Sequence, residues 1–154
     1  MKIIIVSDSH GNKDIINKLY NQNNFDYFIF LGDIISDVKD IIHNDNVLYV
    51  PGNCDFFSKE QEVLVKKLGG YKFIICHGHT FGVKNNINKL VEFAKSNNAD
   101  FCLFGHTHIP LIKEVAGVQL INPGSVSKPR EGEPTYCVLK IIDGKSNIER
   151  IAIY

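Results

Sequence analysis

A chain of 154 residues is long enough to bury a substantial core and reads as one domain, residues 1–154. Hydrophobic residues make up 44% and charged residues 22%, the balance of an ordinary globular protein, and no apolar run approaches the length of a membrane span. Lys+Arg and Asp+Glu both number 17, so the formal net charge is zero; that argues against a dedicated nucleic-acid-binding surface but leaves room for a phosphorylated substrate held through metal ions.

The chain opens with Lys2 to Val6, a β-branched run that reads as a strand buried on both faces. Ser7-Asp8-Ser9-His10-Gly11-Asn12 ends it, and Ile15, Ile16, Leu19 and Tyr20 at helical spacing predict a helix from about Asn12 to Gln22. Taken alone, Asp8 is a polar strand-end residue and Asn12 an N-cap. The loop has neither a Gly-x-Gly-x-x-Gly pattern nor a Gly-Lys-Ser/Thr ending, which excludes dinucleotide and P-loop sites here. Tyr27 to Leu31 is a second buried strand and runs into Gly32-Asp33-Ile34-Ile35-Ser36-Asp37. Val38, Ile41 and Ile42 predict a short helix, with His43 a solvated residue favoured by the helix dipole. Val47 to Val50 is the third strand, broken by Pro51-Gly52 and followed by Asn53-Cys54-Asp55. Strands that each leave a polar or acidic residue at their carboxyl ends describe a parallel α/β sheet with its ligand site beyond those ends.

The pattern then changes. Glu62 to Leu68 and Tyr71 to Cys76, across Gly69-Gly70, predict a β-hairpin whose second strand runs into His77-Gly78-His79-Thr80. A helix is predicted from about Val83 to Ser96, with Ile87, Leu90, Val91 and Ala94 on one face. A strand from Asp100 to Phe104 ends in Gly105-His106-Thr107-His108. Leu111 to Val115 pairs with Val118 to Ile121, and Asn122-Pro123-Gly124-Ser125 follows as a turn. Pro129 to Pro134 reads as the most mobile loop, and Thr135 to Ile142 with Ile148 to Ile153 closes the chain as a third hairpin. Cys54, Cys76, Cys102 and Cys137 form no Cys-x-x-Cys pair, and the last three sit in apolar runs. Buried reduced thiols and a cytoplasmic location are expected, since no signal-peptide core precedes Ser7.

Five of the six histidines stand at strand ends, in Asp8-x-His10, His77-Gly78-His79 and His106-Thr107-His108, in the company of Asp33, Asp37, Asn53 and Asp55. An isolated His-x-His is as readily a surface loop as a metal-binding pair, and on an extended segment its two rings would face one ion. The company decides for a metal. Imidazole nitrogens with carboxylate and amide oxygens suit Mn²⁺, Fe²⁺, Zn²⁺ or Ni²⁺, whereas Ca²⁺ and Mg²⁺ take oxygen almost alone. Four or more histidines and two aspartates exceed the needs of one ion, which points to two ions sharing a carboxylate, spaced about 3.5–4 Å as suits in-line displacement at phosphorus.

In this order, Asp8-x-His10, Gly32-Asp33-x-x-x-Asp37, Gly52-Asn53-Cys54-Asp55, His77-Gly78-His79 and Gly105-His106-Thr107-His108 resemble the calcineurin-like metallophosphoesterase superfamily. Gly52-Asn53-Cys54-Asp55, the stretch from His77 to Lys84, and Asn122-Pro123-Gly124-Ser125 are similar to its small YfcE-type phosphodiesterase branch, itself similar to the retromer subunit Vps29. The resemblance covers Asp8 to Arg130. It implies a four-layer α/β/β/α sandwich of two mixed sheets flanked by helices, with the three late hairpins in the second sheet. It also implies two divalent ions, Mn²⁺ foremost. Asp33 would bridge them, Asp8, His10 and His108 would hold the first, and Asn53, His77 and His106 the second, so that the His106–His108 pair splits. A hydroxide between the ions would attack phosphorus in line.

Many members of the superfamily carry histidine after Gly-Asn, where this chain has Cys54. A thiol of ordinary pKa, about 8.5, is a weaker acid for the leaving oxygen, so slow turnover and a preference for good leaving groups are expected. Catalytic roles are thereby implied for Asp33, Asn53, Cys54 and His79, the last either assisting or merely solvated. Asp37 and Asp55 would orient ligands, and Ser125 either offers backbone N–H groups to a phosphate or shapes the rim. The expected activity is a phosphodiesterase acting on a phosphate ester, in a homo-dimer or homo-tetramer away from membranes. The alternatives are a phosphomonoesterase or a non-catalytic scaffold like Vps29. Scaffold members lose metal ligands; all seven candidates stand here, which favours the enzyme.

Overall fold

The computed structural model describes residues 1–154. In chain order the elements are β1 (Lys2–Val6), α1 (Lys13–Gln22), β2 (Tyr27–Phe30), β3 (Val47–Tyr49), β4 (Val63–Leu68), β5 (Tyr71–Cys76), α2 (Asn88–Ser96), β6 (Phe101–Leu103), β7 (Leu111–Val115), β8 (Val118–Asn122), β9 (Thr135–Ile142) and β10 (Lys145–Ala152). They make two five-stranded mixed sheets, ordered β10-β9-β1-β2-β3 and β4-β5-β6-β8-β7. Side chains on a strand alternate faces, and that alternation builds the layers. Ile3 and Ile5 of β1 enter a core between the sheets with Ile29, Phe73, Ile75 and Leu103. Ile4 and Val6 turn the other way, onto Ile16 and Leu19 of α1. On the far side Ile74 and Cys102 pack against Leu90, Val91 and Ala94 of α2. The result is the expected four-layer α/β/β/α sandwich.

Burial on both faces explains the unbroken apolar runs of β1, β2 and β5, because every position from Ile3, Phe28 and Phe73 onward is buried. β1, β2 and β3 are parallel, as the strand–loop pattern predicts. Asn12 caps α1, its side chain accepting a hydrogen bond from the Ile15 N–H at 3.2 Å.

Three expectations are corrected. The third hairpin joins the first sheet, not the second. β9 lies antiparallel to β1, with Ile3 opposite Leu139 and Ile5 opposite Cys137, and so covers what would otherwise be a bare edge of the central strand. β10 starts at Lys145 rather than Ile148. Asp143 (φ +50°) and Gly144 (φ +75°) form a tight left-handed turn that sets Lys145 opposite Ile142 and draws a polar segment into the ladder. The predicted helices after β2 and β5 are shorter than their apolar spacing suggests. Residues Ile35–Val38 form a single 3₁₀ turn, as do His79–Phe81, flanked by Gly78 and Gly82 in left-handed conformations; α2 begins only at Asn88. No helix is long and apolar enough to cross a membrane. All four cysteines are free thiols, and burial pushes Cys76 and Cys137 up to about 12.

Candidate metal centre

The loops leaving β1, β2, β3, β5 and β6 meet at one place. Asp8, fully buried, follows β1; its Oδ2 accepts from the Ser7 hydroxyl at 2.7 Å and the His106 N–H at 3.1 Å. Its Oδ1 has no hydrogen-bond partner. That oxygen lies 3.3 Å from Nε2 of His108 and 3.8 Å from Nε2 of His77. Asp33, after β2, sits between the two halves of the cluster, Oδ1 at 3.5 Å from His77 Nε2 and Oδ2 at 3.7 Å from His10 Nε2. Ligand atoms of Asp8, His10, Asp33 and His108 all fall within 4.8 Å of one another.

Backbone carbonyls fix the tautomers. His77 Nδ1 lies 2.6 Å from Leu31 O and His108 Nδ1 lies 2.6 Å from Lys128 O, so each ring donates its Nδ1–H outward and, when neutral, turns a bare Nε2 lone pair inward. His77 Nε2 faces Asn53 Oδ1 at 3.1 Å and His106 Nδ1 at 3.2 Å; His108 Nε2 faces His10 Nε2 at 3.0 Å. With His77 neutral, its Nε2 and Asn53 Oδ1 are two acceptors face to face, and a cation between them satisfies both. A proton can serve at one point: the Asp8 carboxylate, 3.3 Å from His108 Nε2, favours the charged ring and, against the opposing effect of burial, raises the pKa of His108 above its ordinary 6.5. Burial pushes Asp8 up, but the nearby His108 and His77 outweigh it and hold the carboxyl below its usual value. Burial, then the neighbouring His77, lowers His106 to about 4, and burial also lowers His10; both are neutral near pH 7 and able to bind metal. Mixed imidazole, carboxylate and amide donors, with one buried carboxylate oxygen unpaired, fit a divalent metal.

The backbone is bent to make this cluster. Asp8 (φ +57°), His10 (φ +46°), His106 (φ +68°) and His108 (φ +59°) all occupy the left-handed region, uncommon for residues with a side chain and typical of functional sites. β6 ends at Leu103, so the pair is not on an extended strand with both rings on one face; the two rings diverge, His106 to His77 and His108 to His10, as a split pair requires. Gly105 is required by close approach: a Cβ there would strike Ser7 Oγ and Asp8 Oδ2.

Other predicted residues act at one remove. Asp37 accepts from the Ser9 hydroxyl at 2.6 Å and the Gly11 N–H at 2.8 Å; Asp55 accepts from the backbone N–H groups of Ile34, Ile35 and Gly52 at 3.1, 2.8 and 2.8 Å. Both carboxylates brace loop backbone and hold no ligand side chain. Ser125 acts through its side chain. Its buried hydroxyl donates to Asp8 O at 2.7 Å and accepts from the Lys128 N–H at 2.8 Å, tying the Asp8 loop to the carbonyl that orients His108. Arg130 N–H donates to His108 O at 3.2 Å, which anchors the start of the loop expected to be mobile.

Cys54 meets Asp33 through its backbone N–H at 3.0 Å, while burial and the Asp33 charge push its thiol up. His79 sits behind His77, ring centroids 5.4 Å apart, with a buried, unpartnered Nδ1 and with Nε2 4.0 Å from Glu62. Sequence reasoning missed Asn122. Its side-chain N–H₂ donates to Gly105 O and to Thr107 Oγ1, both at 3.0 Å, and holds the His106–His108 segment in shape. The available signal was a polar residue closing the apolar run of β8.

Imidazoles and carboxylates gathered from both sheets at the carboxyl ends of their strands define a metal-dependent hydrolase. The chain belongs to the calcineurin-like phosphoesterase superfamily, whose domain matches residues 1–144. It is 33% identical over 149 residues to a probable metallophosphoesterase of Mycoplasma pneumoniae, covering 94% of this chain and 92% of that one. A phosphodiesterase of Methanocaldococcus jannaschii is 31% identical over 160 residues, covering 90% and 92%. The crystal structure of a predicted phosphoesterase of Streptococcus pneumoniae superposes with a TM-score of 0.84 at 30% identity, over 98% of this chain and 88% of that one. Vps29 of Entamoeba histolytica shares the fold over the full length of both chains, TM-score 0.78 at 23% identity. Family and cluster together make this protein a metal-dependent phosphoesterase.

Proposed function

We propose that this protein is a dinuclear metal-dependent phosphodiesterase, with Asp33 shared between an Asp8–His10–His108 half-site and an Asn53–His77–His106 half-site. The observation that carries the reading is the set of inward lone pairs: His77 and His108 are locked by Leu31 O and Lys128 O so that each Nε2 points into a different half, with Asp33 between them. When bound, a pair of divalent cations supplies an activated water and neutralises charge on the phosphoryl oxygens. Mn²⁺ is the foremost candidate, with Ni²⁺, Zn²⁺ and Fe²⁺ suited to the same donors. The chain's own groups give the leaving oxygen little help. The Cys54 thiol is held protonated but is a reluctant acid, and burial and His77 lower the pKa of His79, leaving its ring neutral near pH 7. Diesters with good leaving groups are therefore the favoured substrates, and the name of the archaeal relative supports a diester over a monoester.

The test is hydrolysis of bis-p-nitrophenyl phosphate by metal-free protein with Mn²⁺, Ni²⁺ or Zn²⁺ added back. Metal-dependent turnover that disappears in Asp33→Ala is the expected result. No turnover with any of the three ions, or full activity in Asp33→Ala, overturns the reading and leaves a Vps29-like scaffold.

A further inference from the structure

A pocket of about 270 Å³ opens beside the metal centre, and the established family activity does not account for it. Thr107 forms part of its wall and is also the residue between His106 and His108, so pocket and centre share one segment of chain. Its apolar lining includes Phe104 and Val83, both almost wholly buried, and Ile87 at the start of α2. Lys84 and Arg130 complete it. Neither cation forms an ion pair. Val83, the residue before Lys84, packs against Gly78 between His77 and His79, and the Arg130 N–H donates to His108 O at 3.2 Å, so each cation is held beside a segment that carries histidines of the centre.

We propose that this pocket seats one aromatic arm of the diester substrate, an aryl or nucleobase-type ring on the apolar floor formed by Phe104, Val83 and Ile87, while Lys84 and Arg130 attract its phosphate. Apolar lining with a few convergent polar groups is the usual make-up of a small-molecule site, and the volume suits one ring system rather than an extended chain. The larger cleft elsewhere, about 550 Å³, is lined by Asp26 and Asp45 and repels a phosphate ester. The inference rests on the phosphodiesterase reading and supplies what that reading lacks, a substrate class.

The test is calorimetric binding of phenylphosphonate and methylphosphonate, which cannot be hydrolysed, to Mn²⁺-loaded protein. Phenylphosphonate should bind about tenfold tighter, from burial of one ring. Ile87→Trp, which fills the pocket, should bring the ratio close to one, and Ile109→Trp, from the more exposed wall, should do the same if the first variant folds poorly. Lys84→Ala with Arg130→Ala should weaken both ligands and leave their ratio intact. Equal binding of the two phosphonates by a wild-type protein that hydrolyses bis-p-nitrophenyl phosphate overturns the pocket alone. A ratio that survives both tryptophan variants does so as well. Binding of neither phosphonate together with absent turnover overturns the phosphoesterase reading with it.

Discussion

His108 is where proton and metal compete most directly. Its Nδ1–H is committed to Lys128 O, so the only atom left to take either cation is Nε2, 3.3 Å from the unpartnered Oδ1 of Asp8. The Asp8 carboxylate beside it raises its pKa, so a proton competes with metal for this atom as the pH falls. His106, at about 4, is almost free of such competition. A metal ion needs the bare lone pair, so binding must expel the His108 proton, and affinity should climb with pH until the raised pKa is passed. Mn²⁺ titrated into metal-free protein at pH 6.5, in buffers of differing ionisation enthalpy, should show proton release that His108→Ala largely removes. Release unchanged in that variant would place His108 outside the metal's reach.

At the scale of elements, the sequence announces what packing makes periodic and hides what hydrogen bonds across the chain impose. Ile3 to Val6 and Phe73 to Cys76 are recognisable as strands because both faces are buried, and the candidate ligands are recognisable because each motif sits at such a strand's end. Lys145 to Asn147 carry no apolar signal; the register of the Asp143-Gly144 turn makes them strand. Ser125 is likewise unreadable, since its partner Asp8 lies 117 residues away. The left-handed turn of the His106–His108 segment is also set from outside, by Asn122 and by the contact of Gly105 with β1's loop. Gly105 does not itself have positive φ, so Gly105→Ala tests steric fit alone. The added methyl must displace Ser7 or Asp8, costing about 1–3 kcal/mol of stability and most of the metal affinity. Gly117→Ala, at the β7–β8 turn where φ is +81° and space is open, should cost about 1–2 kcal/mol of backbone strain and leave metal binding intact. Thermal unfolding and metal titration of the two variants separate these effects; equal metal affinity would show that the Gly105 contact does not shape the site.

For the molecule as a whole, the two sheets contribute unequally different halves of one polar cluster. Asp8, His10, Asp33 and Asn53 arrive on loops of the first sheet, His77, His106 and His108 on loops of the second. That the β9–β10 hairpin belongs to the first sheet was not legible, because Thr135 to Ile142 is apolar enough for either and only its pairing with β1 decides. The consequence of the assignment is mechanical: β9 secures β1, and β1 carries Asp8 toward histidines of the opposite sheet. Without a metal, the inter-sheet core ends in a buried carboxylate oxygen with no partner, a cost to the folded state. A metal ion bound between these groups removes that cost and joins the sheets at their open end. Because an unfolded chain cannot assemble the seven scattered candidate ligands, free metal at 100 times its Kd should add about 2.7 kcal/mol of stability. For a domain of this length, that corresponds to a rise in Tm of roughly 5–10 °C. Scanning calorimetry of metal-free protein with and without excess Mn²⁺ should show this rise, reversed by a chelator and nearly absent in Asp33→Ala. An equal rise in Asp33→Ala would mean that the stabilising ion sits elsewhere and that Asp33 does not link the two halves.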